Sequence, residues 1–182
     1  SSSAASDVYK RQMKKLLIYA VLVGILAGAV TLVTDILQGA GFISTAAGLT
    51  FVTFACWASY FLFGADPKAA LKGWVSMIVG IICAIIIYVL TNAFAGLGWN
   101  VGYAALPVAV IIGVILMCAA EKLPYANNVA AIFMGAALYF AIMGTPAAEG
   151  GYALVAAGEL VYGALGLFSG YLTIMISKKV RN

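Results

Sequence analysis

Residues 64–100 read GADPKAALKGWVSMIVGIICAIIIYVLTNAFAGLGWN. Gly64-Ala65-Asp66-Pro67-Lys68 breaks any preceding helix, and Lys68 and Lys72 sit at the entrance of a long apolar run. The run from Leu71 to Thr91 has the length that a hydrocarbon core of ~30 Å demands of a helix. Trp74 has the place of an interfacial anchor, and the chain leaves through Asn92 to Asn100, rich in glycine and without a charge. Basic residues before the run and none after it orient the segment, because loops retained in the cytoplasm keep Lys and Arg.

Working outward, the same logic divides the chain into six spans. Span 1 covers Leu16–Leu37 behind Lys14 and Lys15, and a Gly39-Ala40-Gly41 turn leads to span 2, Phe42–Phe63. Span 3 is Leu71–Thr91. Span 4, Tyr103–Ala120, ends at Glu121-Lys122, and Pro124 opens span 5, Tyr125–Met143. Span 6, Tyr152–Ile176, follows the uncharged-to-acidic loop Thr145–Gly151 and closes on Lys178, Lys179 and Arg181. Spans 4 and 5 are short and hold Pro107 and Asn127-Asn128, which allows a tilted or partly re-entrant path where protein shields it. Every Lys and Arg then falls on one side. The expected fold is all-α: a polytopic bundle of six transmembrane helices with both termini in the cytoplasm.

Composition agrees. The chain is 65% apolar and 9% charged, with a mean hydropathy of +1.09, which excludes an ordinary soluble domain. The basic residues gather at helix ends, so the excess of positive charge reads as topology and not as nucleic-acid binding. The first twelve residues, SSSAASDVYKRQ, resemble a translated sequencing-library adapter, which makes Met13 the expected native start and residues 13–182 one membrane domain. Span 1 is too long for a cleaved leader and lacks a small-residue cleavage site, so it is read as an uncleaved span.

Several chemistries lack their residues. Histidine is absent, removing the commonest metal ligand and the usual base near neutral pH. Cys56, Cys83 and Cys118 fall in different spans with no metal or redox spacing. There is no phosphate-binding loop, no HExxH and no GxSxG. The reading is therefore no enzyme, no metal and no cofactor.

Three polar stripes remain. In span 1, Gly24, Gly28, Thr31, Asp35 and Gln38 share one helical face. Gly24 and Gly28 would admit another backbone closely, while Asp35 either reaches interfacial water or lines an outer vestibule. In span 6, Glu159, Gly163, Gly166 and Gly170 share a face, so Glu159 should point into the bundle. No Lys or Arg lies at its depth. Glu159 either serves a solute or proton path or acts as a carboxylic acid that binds helices together. In span 2, Thr50, Thr53, Trp57 and Tyr60 lie on one side, as a narrow polar path or as a packing face.

Phe54-Ala55-Cys56-Trp57-Ala58-Ser59-Tyr60-Phe61, continuing to Gly64 and to Leu71-Lys72-Gly73, resembles the most recognisable part of a small bacterial inner-membrane family, domain-of-unknown-function family 1097. The resemblance extends through the small-residue first span and covers Leu16–Ile176. It implies several membrane helices and the inner membrane, and brings no reaction and no catalytic residue. Acids without bases on the outer side (Asp35, Glu149, Glu159) favour a neutral or cationic solute over an anion, in a channel or secondary transporter. The competing expectation is a non-transporting subunit or assembly factor, packing through its glycine faces against a membrane partner or copies of itself.

Overall fold

The computed structural model describes residues 2–41 and 48–181. Its regular elements are helical: α1 (Ser2–Gly39), α2 (Thr50–Leu62), α3 (Pro67–Gly96), α4 (Leu106–Ala119), α5 (Val129–Met143) and α6 (Gly151–Arg181). Caps set the boundaries. Asp66 accepts at Oδ2 from the Ala69 amide at 2.9 Å, with Pro67 supplying the first helical position of α3. Gly64 turns the chain at φ +100, a conformation open to glycine without strain. Asn128 accepts from the Ala131 amide at 3.1 Å and so starts α5. A π-helical turn, Val101–Ala105, leads into α4, and short 3-10 turns follow α4 and precede α6.

Among the described residues, four helical segments are long and apolar enough to cross a membrane: Ser6–Gly39, Pro67–Gly96, Val101–Lys122 and Pro146–Val180. The helices of spans 2 and 5 are shorter than the sequence predicts. Span 2 was expected from Phe42, but α2 begins at Thr50; residues 42–47 lie outside the described residues. Span 5 was expected from Tyr125, but the Asn128 cap delays α5 to Val129. At 1.5 Å per residue, α2 and α5 extend only ~20 and ~23 Å.

The helices pack by exchange. α6 makes its most extensive contact with α2 and also packs on α1; α3 makes its most extensive contact with α5 and also packs on α4. Advancing three helices along the chain maps one arrangement onto the other. The close contacts correspond as well. A Cβ at Gly80 of α3 would fall on the Ile132 carbonyl and lie 2.8 Å from the Ala136 amide nitrogen. A Cβ at Gly166 of α6 would fall on the Thr53 carbonyl and lie 2.9 Å from the Trp57 amide nitrogen. Ile132 and Thr53 are each the fourth residue of their short helix, and Ala136 and Trp57 each the eighth. Where α3 meets α6, Trp74 donates from Nε1 to the Leu160 carbonyl at 3.0 Å across 86 residues, the separation that also relates Gly80 to Gly166. Corresponding residues that touch one another are what an internal two-fold produces near its axis. The sequence carries no self-similarity that would announce it.

Candidate functional site: a buried carboxyl between the two short helices

Glu159 lies in α6, eight residues beyond its start, or ~12 Å along the helix. Its exposure is 0%. Neither carboxyl oxygen has a hydrogen-bond partner among the described residues. Cys56 of α2 and Tyr139 of α5 are within electrostatic reach of it, so both short helices come near the acid. One turn further along α6, a Cβ at Gly163 would lie 3.3 Å from Cys56 Sγ and 3.6 Å from Met77 Cε. One turn from the acid, α6 thus packs on both α2 and α3. A carboxyl group with two unanswered oxygens in an apolar interior costs several kcal/mol. Its neighbours offer little to offset that, since Tyr139 already donates its hydroxyl to the Tyr152 carbonyl at 3.0 Å.

Toward the start of α6 lies an aromatic group. The Tyr88 ring sits 5.2 Å from Phe140, 6.0 Å from Tyr152 and 6.4 Å from Tyr139, centroid to centroid. Asn92 reaches the Tyr152 hydroxyl at 3.4 Å.

The span 2 stripe faces α6 along its length. Thr53 donates to the Tyr162 carbonyl at 3.0 Å, and Trp57 donates from Nε1 to Thr173 Oγ1 at 2.9 Å. Tyr60 is 1% exposed, and its hydroxyl has no partner among the described residues. Gly166 rests on the Thr53–Trp57 backbone and Gly170 on the Tyr60 ring, so this face is tightly covered by the span 6 glycines. Thr50 is drawn toward α1 instead, with its hydroxyl 2.9 Å from that of Thr34.

The span 1 stripe is divided. Thr31 and Gln38 are half-buried, while Asp35, Gly24 and Gly28 are exposed. A Cβ at Gly24 or Gly28 would meet nothing within 4 Å among the described residues, so both glycines face away from the other described helices of this chain. The reason is which side of α1 the bundle holds. Thr34, ~100° around the helix from Asp35, is fully buried and accepts at its carbonyl from the Tyr162 hydroxyl at 3.4 Å.

Thr34, Tyr139 and Tyr162 were not singled out from the sequence, and Cys56 was named there only as a thiol without metal or redox spacing and within the family-like stretch. Thr34 and Thr50 could have been paired as hydroxyls on successive spans; Cys56 and Tyr139 carry no such signal. Among the described residues no three His, Cys, Asp or Glu side chains come together as a metal site. Cys56 and Cys83 are buried and Cys118 is exposed, all as free thiols.

The family model described as Protein of unknown function (DUF1097) matches residues 19–177. The chain belongs to this family. The DUF1097 match begins inside α1 and ends inside α6, so it takes in Glu159, both short helices and the exchanged packing. No curated protein and no solved structure matches the chain. The DUF1097 assignment carries no reaction or ligand with it, and the chemistry has to be read from the site.

Proposed function

We propose that the protein is a secondary transporter or channel for a small neutral or cationic solute in the bacterial inner membrane, with Glu159 as the group that the solute or a coupled proton engages. The observation that carries this reading is the enclosed carboxyl of Glu159, whose two oxygens have no partner among the described residues. Short helices at corresponding places of two exchanged halves mark where transporters of inverted design hold their ligand, near the middle of the bilayer. An ionisable side chain at that depth is costly and is kept for function.

The same reading has six crossings with both termini in the cytoplasm. Lys14, Lys15, Lys68, Lys72, Lys122, Lys178, Lys179 and Arg181 then share the inner side, and Asp35, Glu149 and Glu159 lie toward the outer one. An outer face with acids and no bases attracts cations and rejects anions. The lipid bilayer is the solvent; no cofactor or nucleic acid is involved, and the chain has no enzymatic centre.

The open Gly24/Gly28 face of α1 favours a second reading, a non-transporting subunit that packs through α1 on a membrane partner or another copy. Solute flux into proteoliposomes separates the two. Small neutral and cationic compounds are scanned with the unmodified protein and Glu159→Gln side by side. Selective flux that the substitution abolishes supports transport through Glu159. Folded protein that passes none of them supports the subunit reading.

A further inference from the structure

Two adjoining clefts, of about 490 and 610 Å³, run between α3 and α6 and share Trp74, Ala164 and Phe168. Together they form an open trough with Ala164 at its floor, the one small exposed side chain common to both. One end is made by Pro67 and Leu71 of the first turns of α3 and by Tyr171 of α6. Lys68 and Lys72 follow Pro67 and Leu71 directly and are exposed. Neither forms an ion pair among the described residues, where the recorded ion pair is Lys122 with Glu121. Asp66, the nearest acid in sequence, is committed to capping α3. Tyr60 lines the same cleft, and its hydroxyl has no acceptor among the described residues.

An apolar trough with two exposed lysines on the adjoining stripe of α3, next to the residues that line one end, suits one kind of molecule. We infer that this trough holds a single anionic glycerophospholipid, one acyl chain lying between Trp74, Ala164 and Phe168 and the phosphate held by Lys68 and Lys72. Any exposed helix in a bilayer is wetted by lipid tails. The concave trough adds contact along the length of one chain, and the lysines add selection for negative charge. Basic sites between membrane helices hold anionic headgroups by this means, at ~1 kcal/mol, or roughly 5-fold in affinity, for each lysine. The inference stands apart from transport: it holds whether or not Glu159 serves a solute.

Native mass spectrometry of the purified chain, titrated with phosphatidylglycerol and with phosphatidylcholine, tests it. One phosphatidylglycerol is expected to stay bound at concentrations where phosphatidylcholine does not. Lys68→Gln and Lys72→Gln, both at exposed positions that leave the fold alone, each weaken that retention roughly 5-fold. Ala164→Phe fills the trough and removes it. Equal retention of the two lipids overturns the inference, as does selective retention that Ala164→Phe leaves intact. A dimer that Ala164→Phe dissociates, with lipid binding unchanged, assigns the trough to a second copy of the chain and overturns it too.

Discussion

Gly166 of α6 rests directly on the Thr53 carbonyl of α2, with room for a hydrogen and none for a methyl group: a Cβ there would also lie 2.8 Å from Cys56 Cβ. In a bilayer, where lipid tails are as apolar as leucine, helices associate through such close approach and not by escaping water. Gly166→Val therefore has to part α2 from α6 and is expected to cost about 1–3 kcal/mol. Thermal unfolding in detergent measures it. Gly24→Val, on the open face of α1, is the matched control and should fall within about 0.5 kcal/mol of the unmodified protein.

Exchange of the two halves predicts a twin for that result. Gly80 stands against Ile132 and Ala136 as Gly166 stands against Thr53 and Trp57. Gly80→Val should destabilise the protein by a similar amount, about 1–3 kcal/mol, through α5 in place of α2. A small effect at Gly80 beside a large one at Gly166 would show that the two contacts are not equivalent.

Glu159 offers a test in which function and stability move in opposite directions. Its oxygens are enclosed without partners, so Glu159→Met, close in volume and apolar, relieves a desolvation cost and should stabilise the fold by about 1–3 kcal/mol. The same substitution should abolish solute flux. A carboxylic acid that merely ties helices together predicts the reverse sign, a loss of stability on removing it. Unfolding of the variant in detergent decides between them.

Trp57 and Thr173 join α2 to α6 through one hydrogen bond of 2.9 Å, and the Thr173 hydroxyl itself donates to the Ser169 carbonyl at 2.8 Å. Thr173→Val removes the acceptor and leaves a buried indole N–H unanswered. The expected loss is about 1–2 kcal/mol. A double-mutant cycle with Trp57→Phe should return a coupling near ~0.6 kcal/mol, the usual worth of such bonds between membrane helices.

The helical class, the small-residue faces and the burial of Glu159 were legible because each is local: one run of apolar residues, one helical period. The Gly163–Gly166–Gly170 face shows its partner only in three dimensions, since nothing in span 2 says that Thr53 and Trp57 are what it meets. Gly80 and Gly135 escaped notice for a related reason. They are single glycines in separate helices, and their meeting depends on α3 crossing α5. Gly24 and Gly28 are a different case: spacing reports that a backbone can be approached, and no described residue of this chain lies within 4 Å of a Cβ placed there. The shortening of α5 came from Asn128, a cap that hydropathy does not see.

The exchange of α3 and α6 also has a consequence for biosynthesis. The principal partner of α2 is α6, made well after it, and the principal partner of α3 is α5. A chain halted after α3 would have three helices with their main packing faces empty. α3, α4 and α5 can pack on one another as soon as α5 is made, while α1 and α2 still wait for α6. Assembly is thus expected in two steps, the middle helices first and α6 against α1 and α2 second.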